Sequence, residues 1–327
     1  MLKAFVALLG TGLATLGSCA QPAQDDSAGW VRVIPPGLGA FEETWESGTW
    51  PLGVQPVPGP EGELWMIGAR QAWRSADGHT WRSTGPVPWR PRYGAAAVTF
   101  AGRMWSLGGQ IGAGHTNEVW SSPDGDAWEG QSAPWAPRRN ARAIVFRDQL
   151  WILGGAGSTR LADVWRTSDG RTWTRVLAAA PWSARVVSGA VVHRDSLWVI
   201  GGGPWDAVTS DVWVSGDGET WFEAQPDAPW GPRVYPGVVA FDGFLWVIAG
   251  VRPDGPRLND VWSSYNGRTW TLIDDPAPWS RRAGERAVVF RDALWLFGGK
   301  GDEEDGRSGY ASDVWRLDRR HHGDARD

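Results

Sequence analysis

Leu150-Trp151-Ile152-Leu153-Gly154-Gly155 is followed by Asp163-Val164-Trp165 and then by Ser168-Asp169-Gly170-Arg171-Thr172-Trp173. An apolar run closed by two glycines, a second short run, and an Asp-Gly pair ahead of a tryptophan read as strands divided by turns. The Asp-Gly pair supplies the positive φ angles of a tight hairpin. The series repeats along the chain. Trp65, Trp105, Trp151, Trp198, Trp246 and Trp295 recur at intervals that grow from 40 to 49 residues, and most of the 26 tryptophans fall into phase with them. That interval is the period of propeller blades.

Three more tryptophan series carry the same register. Asp163-Val164-Trp165 has copies at Asp211-Val212-Trp213, Asp260-Val261-Trp262 and Asp313-Val314-Trp315, with weaker ones at Glu118-Val119-Trp120 and Gln71-Ala72-Trp73. Turn tryptophans close Asp77-Gly78-His79-Thr80-Trp81, Asp217-Gly218-Glu219-Thr220-Trp221 and Asn266-Gly267-Arg268-Thr269-Trp270. Pro-Trp pairs at Trp89, Trp135, Trp182, Trp230 and Trp279 each precede the next blade's tryptophan by sixteen residues, and Trp50 stands fifteen before Trp65. Each blade thus reads as four strands, for example 95–100, 104–109, 118–122 and 127–131. Six copies fit between about residues 46 and 318. The sixth lacks an outer strand, and Trp30-Val31-Arg32-Val33-Ile34 matches Trp173-Thr174-Arg175-Val176-Leu177. The expected fold is therefore all-β, a six-bladed propeller whose ring is closed by an N-terminal strand completing the last blade, which leaves no unpaired ring edge.

The Gly-Gly at the end of the second strand, the Val-Trp strand and the Pro-Trp-x-x-Arg start of each blade resemble the bacterial kelch-repeat propellers of the galactose oxidase/kelch superfamily. Departures are small: Gly68-Ala69 in blade one and Ala249-Gly250 in blade five. The Asp-Gly-x-Thr-Trp turns also resemble the Asp-boxes of sialidases, which serve as turns. The expected role of the registered tryptophans is packing, since each ring can bury roughly 150–250 Å².

Met1-Leu2-Lys3, an apolar stretch from Ala4 to Leu16 and Leu16-Gly17-Ser18-Cys19 resemble a bacterial lipoprotein signal. The stretch is too short to span a bilayer. The resemblance implies cleavage before Cys19 and lipid on its thiol and new amino group. The expected division is a signal peptide over 1–18, a polar tether over 19–28, the propeller over 29–318 and a tail over 319–327, in a protein held in the bacterial cell envelope, at the outer membrane or cell surface if the cell is Gram-negative. Cys19 is the single cysteine, which excludes disulfides and a thiol nucleophile in the propeller.

The net charge of −5 gives no reason to expect a nucleic-acid partner. Strand order places the loops from outer to next inner strand, and from second to third, on one face, and the Asp-Gly turns on the other. Arg92, Arg138, Arg185, Arg233 and Arg282 mark the first face, three residues after each Pro-Trp, and blade one has Gly53 instead. They stand at the entry to inner strands and hence near the central channel, where Arg139, Arg142 and Arg286 add charge and Tyr93, Asn140, Tyr235 and Glu285 add hydrogen-bonding groups. Two readings of the five arginines stand side by side. They are struts to carbonyls or to the aspartate of a neighbouring blade, or they are bidentate donors to a carboxylate, phosphate or sulfated glycan. Trp205, outside the register in a loop, joins them as a candidate binding residue. Asp302-Glu303-Glu304-Asp305 lacks the spaced oxygens of a calcium loop. His79, His115, His193 and His321-His322 have no metal-ligand spacing. No metal and no cofactor are expected.

These residues favour a monomeric, lipid-anchored, non-catalytic module that binds an envelope protein or an anionic glycan. Galactose oxidase chemistry needs a Cys-Tyr crosslink that this chain lacks. The alternative is a carbohydrate-acting enzyme, because the six-bladed kelch proteins that the chain resembles include a sialic acid mutarotase. By that resemblance Arg233 or Arg282 would hold a carboxylate and Glu285 would be the acid/base.

Overall fold

The computed structural model describes residues 29–34, 55–204, 206–302 and 308–319. Among them every regular element is a β-strand. Arg142–Phe146, Gln149–Ala156, Arg160–Thr167 and Thr174–Leu177 form an antiparallel meander, inner to outer, and four further sheets have the same four-strand plan. A seven-stranded sheet contains a fifth meander in chain order, Gly237–Phe241, Phe244–Val251, Arg257–Ser264 and Thr271–Asp274, extended by Arg282–Ala283, Lys300–Asp302 and Ser308–Tyr310. The inner strands Gln55–Pro58, Ala96–Phe100, Arg142–Phe146, Val187–His193, Gly237–Phe241 and Arg286–Phe290 touch in succession, and the last touches the first. This arrangement is a β-propeller.

The expected strands 95–100, 104–109 and 118–122 correspond to Ala96–Phe100, Arg103–Leu107 and Glu118–Ser122. The outer strand begins later than expected, at Glu129–Ser132. The turn before it is longer because Asp124 Oδ1 accepts from the backbone N–H of Asp126 and Ala127, both at 3.0 Å, and holds those residues out of the ladder. Equivalent bonds from Asp77, Asp169 and Asp217 hold those three carboxyls at about 2, well below the usual range, since N–H donors favour the charged form.

Apolar clusters fill the spaces between successive sheets. The turn glycines explain why the tryptophan and the Asp-Gly series share one period. A β-carbon at Gly125 would stand 2.2 Å from the Trp65 ring, at Gly170 2.0 Å from Trp105, at Gly218 2.5 Å from Trp151 and at Gly267 2.2 Å from Trp198. Gly78, in the first sheet, meets Trp295, in the last, at 2.5 Å in the same way. Each turn thus seats on the second-strand tryptophan of the preceding sheet, at a positive φ that also suits glycine. The ring Nε1 of Trp105, Trp151, Trp198, Trp246 and Trp295 donates to the carbonyl five residues earlier, which fixes the ring for that contact.

Trp30–Ile34 pairs antiparallel with Val314–Asp318, with Trp30 opposite Leu317 and Arg32 opposite Trp315. Trp30 is buried, edge-on to Trp279 at 4.8 Å, and the Arg32 guanidinium lies 4.8 Å from the Trp315 ring. Burial of one tryptophan contributes on the order of 4–6 kcal/mol gross. Removal of residues 29–34 is expected to lower the melting temperature and produce concentration-dependent oligomers in light scattering. A melting curve equal to that of the intact chain would show that the strand contributes nothing to the ring.

Candidate functional site

The five Pro-Trp-x-x-Arg arginines are each at most 2% exposed. Arg138 donates to Asp163 at 2.7 and 2.8 Å and to the carbonyl of Gly154 at 3.0 Å. Arg233 does the same to Asp260 and Ala249, and Arg282 to Asp313 and Gly298. Arg185 binds Asp211 at 2.5 and 2.8 Å, and Arg92 binds Glu118 at 2.5 Å and the carbonyl of Gly108 at 3.2 Å. Each carboxylate also accepts from the indole two residues on, as Asp163 does from Trp165 at 2.7 Å and Asp260 from Trp262 at 2.8 Å. The geometry is that of the struts, with one correction: for Arg92, Arg138, Arg185 and Arg233 the carboxylate lies on the sheet that the arginine leads into and not on a neighbouring one, whereas Arg282, paired at the edge of the seven-stranded sheet, reaches Asp313 beside the strand Val314–Asp318 of the next. A guanidinium enclosed in this way does not present its donors to a ligand. Trp205 lies outside the described residues, while Gly203 and Pro204 before it line a cavity.

That cavity, of about 150 Å³, is lined by Arg139, Asn140, Arg142, Arg160 and Tyr235 among others. Two smaller ones of about 60 Å³ adjoin it through Arg142, and both include Gln55 and Arg286. Together they form the mouth of the central channel, on the same side as the struts. The site arises from a break in the repeat. The inner-strand residues opposite Ile67, Leu107, Leu153, Ile200, Ile248 and Phe297 are equivalent, and they are Gln55, Ala96, Arg142, Gly189, Gly237 and Arg286. Small residues at three positions leave room for the two long cations. Arg142 Nε donates to the Val187 carbonyl at 3.1 Å and Nη2 to that of Ser188. With its amide oxygen turned inward, Gln55 accepts from Arg286 Nε and Nη2 at 3.2 Å.

Backbone strain marks the same place. Two residues after the strut arginine, Gly94 and Gly284 take positive φ angles, and Asn140 and Tyr235 take them as well, at 51° and 55°. Asparagine tolerates this region, whereas a tyrosine there is costly, on the order of 1 kcal/mol. The Tyr235 ring is thus held at the cavity wall against its backbone preference.

Electrostatics sharpen the picture. Burial, then repulsion from Arg286, lowers the Arg142 pKa to about 9, and burial lowers that of Arg286. Burial pushes Glu285 up to about 8. Its Oε1 accepts from the Gly237 N–H at 2.7 Å, and its Oε2 is buried with no hydrogen-bond partner among the described residues. At neutral pH the mouth therefore holds two guanidiniums beside a protonated carboxyl. Among the described residues no three His, Cys, Asp or Glu side chains gather as a metal site requires.

Arg142, Arg286, Tyr235 and Asn140 are among the residues that the sequence places near the central channel as added charge and hydrogen-bonding groups, whereas Gln55 and Arg160 are not singled out by it. The signal was available: arginine where other blades have Gly or Ala, and tyrosine where two have Gly.

No family model matches this sequence, and no curated protein matches it. Among solved structures, the one described as "Structure of YjhT" superposes with a TM-score of 0.66 at 13% identity, over 81% of this chain and 95% of that one. At that identity the likeness concerns the fold, and it agrees with a β-propeller.

Two substitutions separate strut from site. Arg138→Gln strands Asp163 in the interior and is expected to destabilise by about 3–5 kcal/mol in urea titration. Arg142→Gln, which leaves neutral carbonyls behind, is expected to change stability by less than about 1 kcal/mol; equal losses would contradict this division. Glu285→Gln removes a group whose folded pKa of about 8 stands above its ordinary 4.5. Between those values the folded state retains a proton that the unfolded state has released, so stability falls as pH rises through the window. The Gln variant is expected to melt above the parent at pH 8.5, with the gap closing towards pH 4.5; a gap independent of pH would contradict a protonated Glu285.

Proposed function

We propose that this chain is a six-bladed kelch-type propeller, closed by its N-terminal strand and held in the bacterial envelope by lipid on Cys19, that binds a carboxylate-bearing glycan at the channel mouth between Arg142 and Arg286. The observation that carries this reading is the placement of two cations on inner strands where the repeat otherwise has small residues, with neutral carbonyls answering Arg142. Two buried like charges repel, and an anion between them relieves that repulsion while giving bidentate geometry. Asn140, Tyr235 and Gln55 supply the hydroxyl- and amide-directed bonds that a sugar acid would use. The six-blade count is supported by the closed cycle of inner strands and by the meander inside the seven-stranded sheet.

A second reading, an enzyme acting on an acidic sugar, has one observation in its favour. Glu285 lines the cavity with both arginines, carries a proton near neutral pH and has one oxygen unpartnered. Such a carboxyl can give its proton to the ring oxygen as the ring C–O bond breaks, with the proton of the anomeric hydroxyl passing to the carboxylate so formed, directly or through water, and the reverse transfers close the ring on the other face of the open-chain carbonyl, which interconverts the anomers.

Binding of N-acetylneuraminate, glucuronate and, as a neutral control, glucose, followed by ligand-detected NMR, tests both readings. The acids are expected to bind and glucose is not. Arg142→Gln and Arg286→Gln should each weaken the acids by about tenfold to a hundredfold, corresponding to about 1.5–3 kcal/mol for a charged hydrogen bond. Affinity should fall as pH rises through 8 to 9, where Glu285 gains negative charge and Arg142 loses its positive charge. Equal binding of glucose would overturn the anion site. If the enzyme reading holds, the intact chain accelerates anomer exchange and Glu285→Gln stops it with affinity retained.

A further inference from the structure

The large apolar side chains that are exposed among the described residues are Val31, Phe222, Tyr265 and Leu272, between 43% and 64% exposed. All four fall on three consecutive sheets of the ring. At the outer-strand position just after the turn tryptophan, the remaining three sheets carry Arg82, Glu129 and Thr174, all exposed and polar. Phe222 and Val31 occupy that position in theirs. Leu272 lies opposite Trp262, and both Trp262 and Ala224, two residues beyond Phe222, pack into the same inter-sheet cluster. By the two-residue period of a strand, Phe222 and Leu272 therefore face the same inter-sheet groove from its two walls.

The neighbouring groove is apolar as well. Phe241, Phe244, Trp246, Ile273 and Leu317 form the apolar part of a cavity of about 260 Å³ between the seven-stranded sheet and the sheet containing Trp30–Ile34, with Asp242 and Asp318 among its polar lining. The Tyr265 ring stands edge-on to Phe244 at 5.9 Å, with the Arg194 guanidinium over it, 3.9 Å from the ring centroid.

The N-terminal segment joins the propeller at this sector. A β-carbon at Gly29 would touch Leu317 Cδ1 at 3.7 Å, and Leu317 lines the apolar cavity. Ten residue steps separate Cys19 from Gly29, a reach of at most about 36 Å. Gly29, Val31, Phe222, Tyr265 and Leu272 all lie within or next to the tight-turn ends of their strands. The channel mouth lies at the opposite ends.

We infer that this apolar sector is a docking surface for the lipid bilayer, which sets the propeller on the membrane by its turn-side rim and directs the channel mouth away from it. The inference rests on the membrane attachment proposed above. Phe222, Leu272 and Val31 supply apolar area for the acyl boundary, and Tyr265 with Arg194 forms an amphipathic pair suited to headgroup depth.

Added cysteines, Phe222→Cys and, on the opposite side of the ring, Arg82→Cys, are labelled with an environment-sensitive fluorophore in the full chain, which keeps Cys19. The proteins are placed in phosphatidylethanolamine/phosphatidylglycerol vesicles with brominated acyl chains. The unsubstituted chain, labelled in parallel, reads Cys19 itself: an acylated thiol takes up no label, and uptake would contradict the lipid anchor whatever the rim shows. The label at 222 is expected to shift to the blue and to be quenched several-fold more than the label at 82. Equal quenching at the two positions, after subtraction of any Cys19 signal, would overturn the docking surface. Shielding of the label at 222 in detergent alone, with a doubled mass at rising concentration, would assign the sector to a second copy of the chain and overturn it equally.

Discussion

The bond on which this structure depends joins an arginine to a carboxylate and a carbonyl at the head of an inner strand. Arg138 with Asp163 and Gly154 is the pattern, and the same three partners recur, with substitutions, around the ring. A buried ion pair of this kind is a weak source of net stability, because both ions lose their hydration. Its value is positional. One planar fork fixes the loop that carries the chain from an outer strand to the next inner strand against the second and third strands of the same sheet. The indole bond from Trp165 to the same carboxylate extends that constraint across the third strand.

A second constraint acts at the other end of the strands, where turn glycines seat on tryptophans of the preceding sheet. Struts tie strands within a sheet, and these contacts tie sheets to one another, so the ring is set from both ends. Residues that serve neither purpose are free to differ between repeats. Arg142, Arg286 and Tyr235 lie in that class. They stand two to four positions beyond a strut, on backbone that the strut has already fixed, and there Arg142 takes the carbonyls of Val187 and Ser188 as partners and Arg286 the amide of Gln55.

The fold was legible because its signals are periodic and local. Tryptophan spacing, Asp-Gly turns and the match between 30–34 and 173–177 each need only a few neighbouring residues to interpret. The outer strand that starts at Glu129 and not at residue 127 was misplaced by the sequence reading because the Asp124 carboxylate recruits two further N–H groups, a side-chain effect that strand periodicity does not carry. The candidate site was less legible for a different reason. Sequence placed Arg138 and Arg142 four residues apart but gave no means of telling that one is enclosed by Asp163 and the other faces a cavity shared with Arg286, far along the chain. Periodicity itself draws attention to the enclosed arginines. What repeats reports on the scaffold, and what departs from the repeat marks the candidate site.

The same distinction governs the electric field at the mouth. Each strut carries its own carboxylate, so five buried arginines add little net charge there. Arg142 is answered by carbonyls, which solvate a cation without cancelling it. Glu285, the carboxyl nearest in sequence to Arg286, is kept neutral by burial until the pH approaches 8, and so does not cancel it either under ordinary conditions. A chain with a net charge of −5 thus maintains a local positive field at one small opening. That field is short-ranged, since a Debye length of about 8 Å at physiological salt screens it beyond the opening. On the proposed reading, selection by charge therefore takes place at contact, inside the low-dielectric mouth, where the Tyr235 ring and the Asn140 amide line the same cavity as Arg142.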